Sequence, residues 1–67
     1  MREYNYVNDI GHLKKIVIDN KKNKNGKYNF SLWSLQTGDF CGNGEKTKED
    51  IDDFLKHYKI EDTFEAE

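Results

Sequence analysis

A chain of 67 residues with 34% hydrophobic and 36% charged side chains holds material for one small domain and none for a second. Its net charge of -2 is unevenly spread: residues 1–44 carry seven cationic and four anionic side chains, and residues 45–67 carry four and nine. A core this small leaves little room for a buried catalytic cleft, so the expected function is a surface function and not an enzymatic one.

The N-terminal segment alternates polar and apolar residues through Tyr4-Asn5-Tyr6-Val7, unlike a signal peptide. It either folds over a sheet or adds a strand to one. Residues 13–20 (LKKIVIDN) predict a strand, because Ile16, Val17 and Ile18 are β-branched and their flanks are polar. Residues 27–36 (KYNFSLWSLQ) predict a second, alternating through Tyr28, Phe30 and Leu32. Between them, Asn25-Gly26 is the dipeptide that most readily supplies a tight hairpin turn. Thr37-Gly38 marks another turn, after which Asp39-Phe40-Cys41 predicts a short third strand, broken by Gly42-Asn43-Gly44.

Thr47, followed three residues later by Asp50, resembles a helix capping pattern, and Ile51, Phe54, Leu55 and Tyr58 form one apolar stripe at helical spacing. Residues 61–67 (EDTFEAE) read as a frayed acidic tail in which Phe64 is the one side chain able to dock. The expected fold is therefore α+β, a single domain over residues 1–67. It consists of a three-stranded antiparallel meander followed by one C-terminal amphipathic helix, with residues 1–10 as an N-terminal segment or fourth strand.

Two hairpin registers fit the pattern. A two-residue turn at Asn25-Gly26 pairs Ile18 with Trp33 and Ile16 with Leu35, whereas a seven-residue loop pairs Ile18 with Phe30 and Ile16 with Leu32 and leaves Trp33 and Leu35 outside. Either register leaves apolar surface that one helix does not cover, with Tyr28, Phe30 and Trp33 as candidates for an exposed or dimer-forming face.

Chemistry-bearing motifs are sparse. Gly42-Asn43-Gly44-Glu45-Lys46-Thr47 fails as a phosphate loop because Glu45 interrupts the Gly-Lys-Thr run, and residues 21–32 fail as a calcium loop with Lys21 and Leu32 at ligand positions. His12, Cys41 and His57 are scattered singly, so neither a metal site nor a cofactor is expected. Cys41 reads as a small buried residue of a strand.

Two charged surfaces remain. Lys21, Lys22, Lys24 and Lys27 make a basic hairpin tip that, with sheet aromatics, would suit nucleic acid. Glu49, Asp52, Asp53, Lys56, Glu61 and Asp62 make a largely acidic face suited to a basic protein surface. With arginine present once, at Arg2, and an acidic balance overall, direct nucleic-acid binding is the less favoured of the two.

In size, charge and lack of a catalytic constellation, the chain is similar to the short inhibitor proteins with which bacteriophages block host defences, the anti-CRISPR proteins among them. That similarity covers general character and no motif, so it assigns no role to any residue. It implies a non-catalytic module that blocks a nucleic-acid-handling host protein. The alternatives are a small nucleic-acid binder and a homodimeric assembly subunit. The unpaired cysteine sets the expectation of a reducing, cytoplasmic setting.

Overall fold

The computed structural model describes residues 1–66; Glu67, the end of the acidic run, lies outside them. Four strands, β1 (Arg2–Val7), β2 (Leu13–Ile18), β3 (Tyr28–Ser34) and β4 (Phe40–Lys46), precede one helix, α1 (Lys48–His57). The strands form an antiparallel sheet in the order β1-β2-β3-β4, a meander in which every strand pairs with its neighbour in sequence. The N-terminal segment is thus a strand and does not fold over the sheet.

The longer-loop register is the one adopted: Ile16 faces Leu32 and Ile18 faces Phe30. Asn23 decides it. Its backbone N–H donates to the Lys27 carbonyl at 2.7 Å, Gly26 N–H donates to the Asn23 carbonyl at 3.0 Å, and the Asn23 side-chain oxygen accepts from the N–H groups of Asn25 and Lys27. This is a three-residue turn that needs a positive φ at Gly26 alone (74°), whereas a two-residue turn would need one at Asn25 as well. The β1–β2 turn repeats the bonding: Asn8 N–H donates to His12, Gly11 N–H donates to Asn8, and the Asn8 side chain accepts from Ile10 and His12. Both turns share the spacing Asn-x-x-Gly.

The pattern of alternate residues now has one meaning. Tyr4, Tyr6, Ile16, Ile18, Tyr28, Phe30 and Leu32 face α1, and with Ile51, Leu55 and Phe64 they form the core, flanked by Phe54 and Tyr58. Tyr6 packs edge-on against Phe54, with ring centres 5.0 Å apart, and lies 4.6 Å from Tyr58. Tyr28 and Phe30 therefore do not form an exposed face. The adopted register turns both toward the helix, Tyr28 being buried and Phe30 half-buried.

The glycines at 42 and 44 do not break the chain; β4 runs through them to Lys46. Gly44 lies under the Phe30 ring, where a Cβ would sit 3.0 Å from Phe30 Cζ, so glycine lets the aromatic side chain cross the strand. Near Gly42, which has a φ of 155°, the β3–β4 register slips, with Leu32 opposite Gly42 but Trp33 opposite Phe40. This bulge leaves Cys41 as the extra residue, and the thiol is exposed, not buried. The slip also reverses the face on which Phe40 lies and sets it edge-on against Trp33, with ring centres 5.2 Å apart.

Thr47 caps α1 as its spacing predicts, its hydroxyl accepting from Asp50 N–H at 3.2 Å. Thr47→Ala is expected to cost about 1 kcal/mol, read as a lower urea midpoint with an unchanged slope. After the helix, Lys59 takes a positive φ of 56° and Ile60 N–H returns to the Leu55 carbonyl. The chain then does not fray. Phe64 inserts beside Tyr28, with ring centres 5.0 Å apart, and the Thr63 carbonyl accepts from Arg2 Nη2 at 2.7 Å and from the Tyr4 hydroxyl at 3.3 Å.

Candidate functional site

Three surfaces come forward once the elements are in place. The first is the solvent side of α1 with the segment after it. Glu49, Asp52, Asp53 and Lys56 are exposed there, as are Glu61 and Asp62. Burying Ile51 and Leu55 turns the intervening carboxylates outward, and Asp52 is bridged one turn back to Lys48 at 3.2 Å. Glu61 and Asp62 are held beside the helix by the pinned Thr63 and Phe64. The Arg2 guanidinium is held above its ordinary pKa chiefly by its hydrogen bond to the Tyr4 hydroxyl, with Asp62 and Glu65 adding to the effect against desolvation.

The second is the lysine loop. Lys21, Lys22, Lys24 and Lys27 are all exposed. Beneath them a carboxylate is built into the loop: Glu45 of β4 accepts from Asn23 Nδ2 at 2.7 Å and from Asn25 Nδ2 at 3.1 Å, while Asn23 Nδ2 also reaches Asn29. Sequence reading missed this network, because nothing local links Glu45 to a turn twenty residues earlier. The aromatic partners expected for base stacking are elsewhere, with Tyr28 and Phe30 on the helix side. Trp33, in β3, is six residues along the chain from Lys27, about 20 Å away in extended backbone. Phosphate-contacting and base-stacking groups are therefore not brought together.

The third is the sheet face opposite α1. It is graded along the strands. From the lysine-loop end, Asn29 and Glu45 are followed by the row Glu3, Val17, Ser31 and Asn43, then by Asn5, Lys15, Trp33 and Phe40, and at the other end by Val7, Leu13 and Leu35. Lys15 in the middle pairs with Glu3 at 3.3 Å, and the Trp33 indole N–H donates to Ser31 Oγ at 3.0 Å.

Concave features are shallow. One depression of about 550 Å³ lies between β1 and the end of α1, where His57 meets Asp9 at 3.3 Å beside Tyr6 and Tyr58. Burial pushes the Tyr6 phenol above its ordinary pKa of 10.0, with Tyr58 and Cys41 contributing. Cys41 Sγ of β4 lies 3.6 Å from Lys14 Nζ of β2. Among the described residues, no three His, Cys, Asp or Glu side chains gather as metal ligands would, and no helix is long and apolar enough to cross a membrane. Comparison with known protein families, with curated proteins and with solved structures finds no match.

Proposed function

We propose that this chain is a small non-catalytic protein-binding module that presents the carboxylates of α1 and of the segment after it to a basic surface of a nucleic-acid-handling protein, acting as an inhibitor of the kind bacteriophages direct at their hosts. One observation carries the reading. Glu61 and Asp62 line one depression with Asp52, Lys48 and Lys56, on chain that is fastened by Phe64 and by the bonds to Thr63. Charges fixed before binding lose less entropy on meeting a cationic surface than charges on a loose tail. The Asn-bound Glu45 within the lysine loop, and the distance from that loop to Trp33, weigh against the nucleic-acid alternative.

The test is a residue-resolved NMR titration with an oligo-arginine peptide and, separately, with single-stranded DNA, each at two salt concentrations. The peptide is expected to move the resonances of Asp52, Asp53, Glu61 and Asp62. Charge reversal in a D52K/D53K variant is expected to weaken its binding about tenfold or more. Tighter binding of the DNA than of the peptide, with shifts at Lys21, Lys22, Lys24 and Lys27 and a steep loss with salt, would overturn the proposal.

A further inference from the structure

The graded sheet face carries an inference independent of the acidic surface. Val7, Ile10, Leu13, Leu35 and Phe40 are 55%, 74%, 43%, 38% and 54% exposed, and all lie at the end of the sheet that holds the β1–β2 and β3–β4 turns. They adjoin one another: Val7 is opposite Leu13, Leu35 N–H bonds to the Leu13 carbonyl at 3.1 Å, and Phe40 meets Trp33, with Ile10 at the tip of the neighbouring turn. We infer that this patch is the interface of a homodimer, each copy covering the apolar end of the other's open sheet face.

Two observations select a second copy as the occupant. The first is area. Exposures of this size at five large side chains leave on the order of 500 Å² of apolar surface, near the upper end of what single-chain proteins leave open. A standard interface takes about 800 Å² from each partner, about 60% of it apolar, so this patch supplies the apolar part of one such interface.

The second is charge. A two-fold interface brings each patch against itself and tolerates no net charge of one sign. Lys15, within the face, is neutralised by Glu3. Glu45, at the lysine-loop end of that face, is tied to Asn23 and Asn25, and Asp39 beside Phe40 is exposed, whereas the carboxylates of α1 and of residues 61–65 lie across the sheet. Packing open face on open face therefore puts the two acidic helices on the outside, at their greatest separation, and leaves the acidic surface of each copy free. The β4 bulge fits this arrangement, because without the slip Phe40 would be on the helix side and the patch would lose its largest exposed ring.

The test is molar mass by light scattering or sedimentation equilibrium from about 1 μM to about 1 mM, with reductant present so that the exposed Cys41 cannot cross-link copies. The expected result is a reversible doubling of mass, accompanied by a blue shift of Trp33 emission. Leu13→Glu and Ile10→Glu should each abolish the doubling while leaving the circular dichroism spectrum intact. The Ile10 change, in an exposed turn, keeps the test decisive should Leu13→Glu disturb the strand. The D52K/D53K variant should double as the parent does. A monomer throughout this range would overturn the proposal and leave the face to a different protein. Doubling that survives both Leu13→Glu and Ile10→Glu would overturn it equally.

Discussion

Phe64→Ala is expected to remove a large share of the fold's stability, although the residue lies beyond the last helix in a run of acidic side chains. The ring is 2% exposed and packs edge-on against Tyr28. Truncating a buried phenylalanine costs about 3–5 kcal/mol once the lost transfer energy and the cavity are both counted. At about 0.05–0.15 kcal/mol per residue, a domain of this size has roughly 3–10 kcal/mol in total, so the variant loses about a third of it or more. Urea denaturation followed by circular dichroism reads this directly, and Glu65→Ala, next to it and exposed, should stay within about 0.5 kcal/mol of the parent. Were residues 61–66 a loose tail, the two variants would be indistinguishable. The functional expectation follows the structural one, since releasing Phe64 also releases Glu61 and Asp62 from their fixed places.

The second large effect separates two neighbours. Ile16 is fully buried under α1, whereas Val17, next in the chain and of similar chemistry, is half-exposed on the opposite face. Ile16→Ala should cost about 2–5 kcal/mol, and Val17→Ala well under half of that, with the same denaturant slope for both. The contrast shows which face of β2 is buried, and the register is read from Phe30, which shares the face of Ile16 only in the longer-loop pairing. In the two-residue-turn alternative Ile16 would face Leu35 and not Leu32, and its stripe would carry Trp33 in place of Phe30. Phe30→Ala provides the complementary reading, being expected to destabilise because the ring covers Gly44 and packs against the core.

The helix and the strands β2, β3 and β4 were legible for different reasons, whereas β1 was left open between a strand and a cover. Thr47, the carboxylates after it and the stripe through Ile51, Phe54, Leu55 and Tyr58 are local signals that agree with one another, and tertiary packing had nothing to override. The strands were legible from β-branching and alternation, but their register was not, because it rests on whether Asn25 or Asn23 opens the turn. The signal was present in the repeated spacing Asn8-x-x-Gly11 and Asn23-x-x-Gly26, where one side-chain amide satisfies two backbone donors. Asn25-Gly26 kept the shorter turn open as the alternative.

Gly42 and Gly44 pointed to a break because glycine disfavours strands. In the fold, one glycine accommodates the Phe30 ring and the other lies at the bulge, both arrangements set by β3 and invisible from β4 alone. The same bulge carried Cys41 into solvent and Phe40 onto the open face. Thus the two charged candidate surfaces could be read from composition, whereas the apolar patch depended on a one-residue slip that no periodicity announces. Phe64 had a faint signal, a large apolar side chain spaced four from Ile60 among acids, which says that something docks but not where.

The order β1-β2-β3-β4 also bears on how the molecule assembles in time. Each strand pairing closes a short stretch of chain, so the loop-closure entropy of the sheet is small and its formation should be fast for a protein rich in strands. The packing of α1 and of the segment after it closes longer stretches, the longest being the contacts of Thr63 with Arg2 and Tyr4, which join positions about sixty residues apart. They can form only after the sheet exists to receive them. Amide exchange should accordingly find the protons of β2 and β3 slowest and those of residues 60–65 among the first to open, so that the fastening of the acidic segment is the last step of folding and the first to be undone.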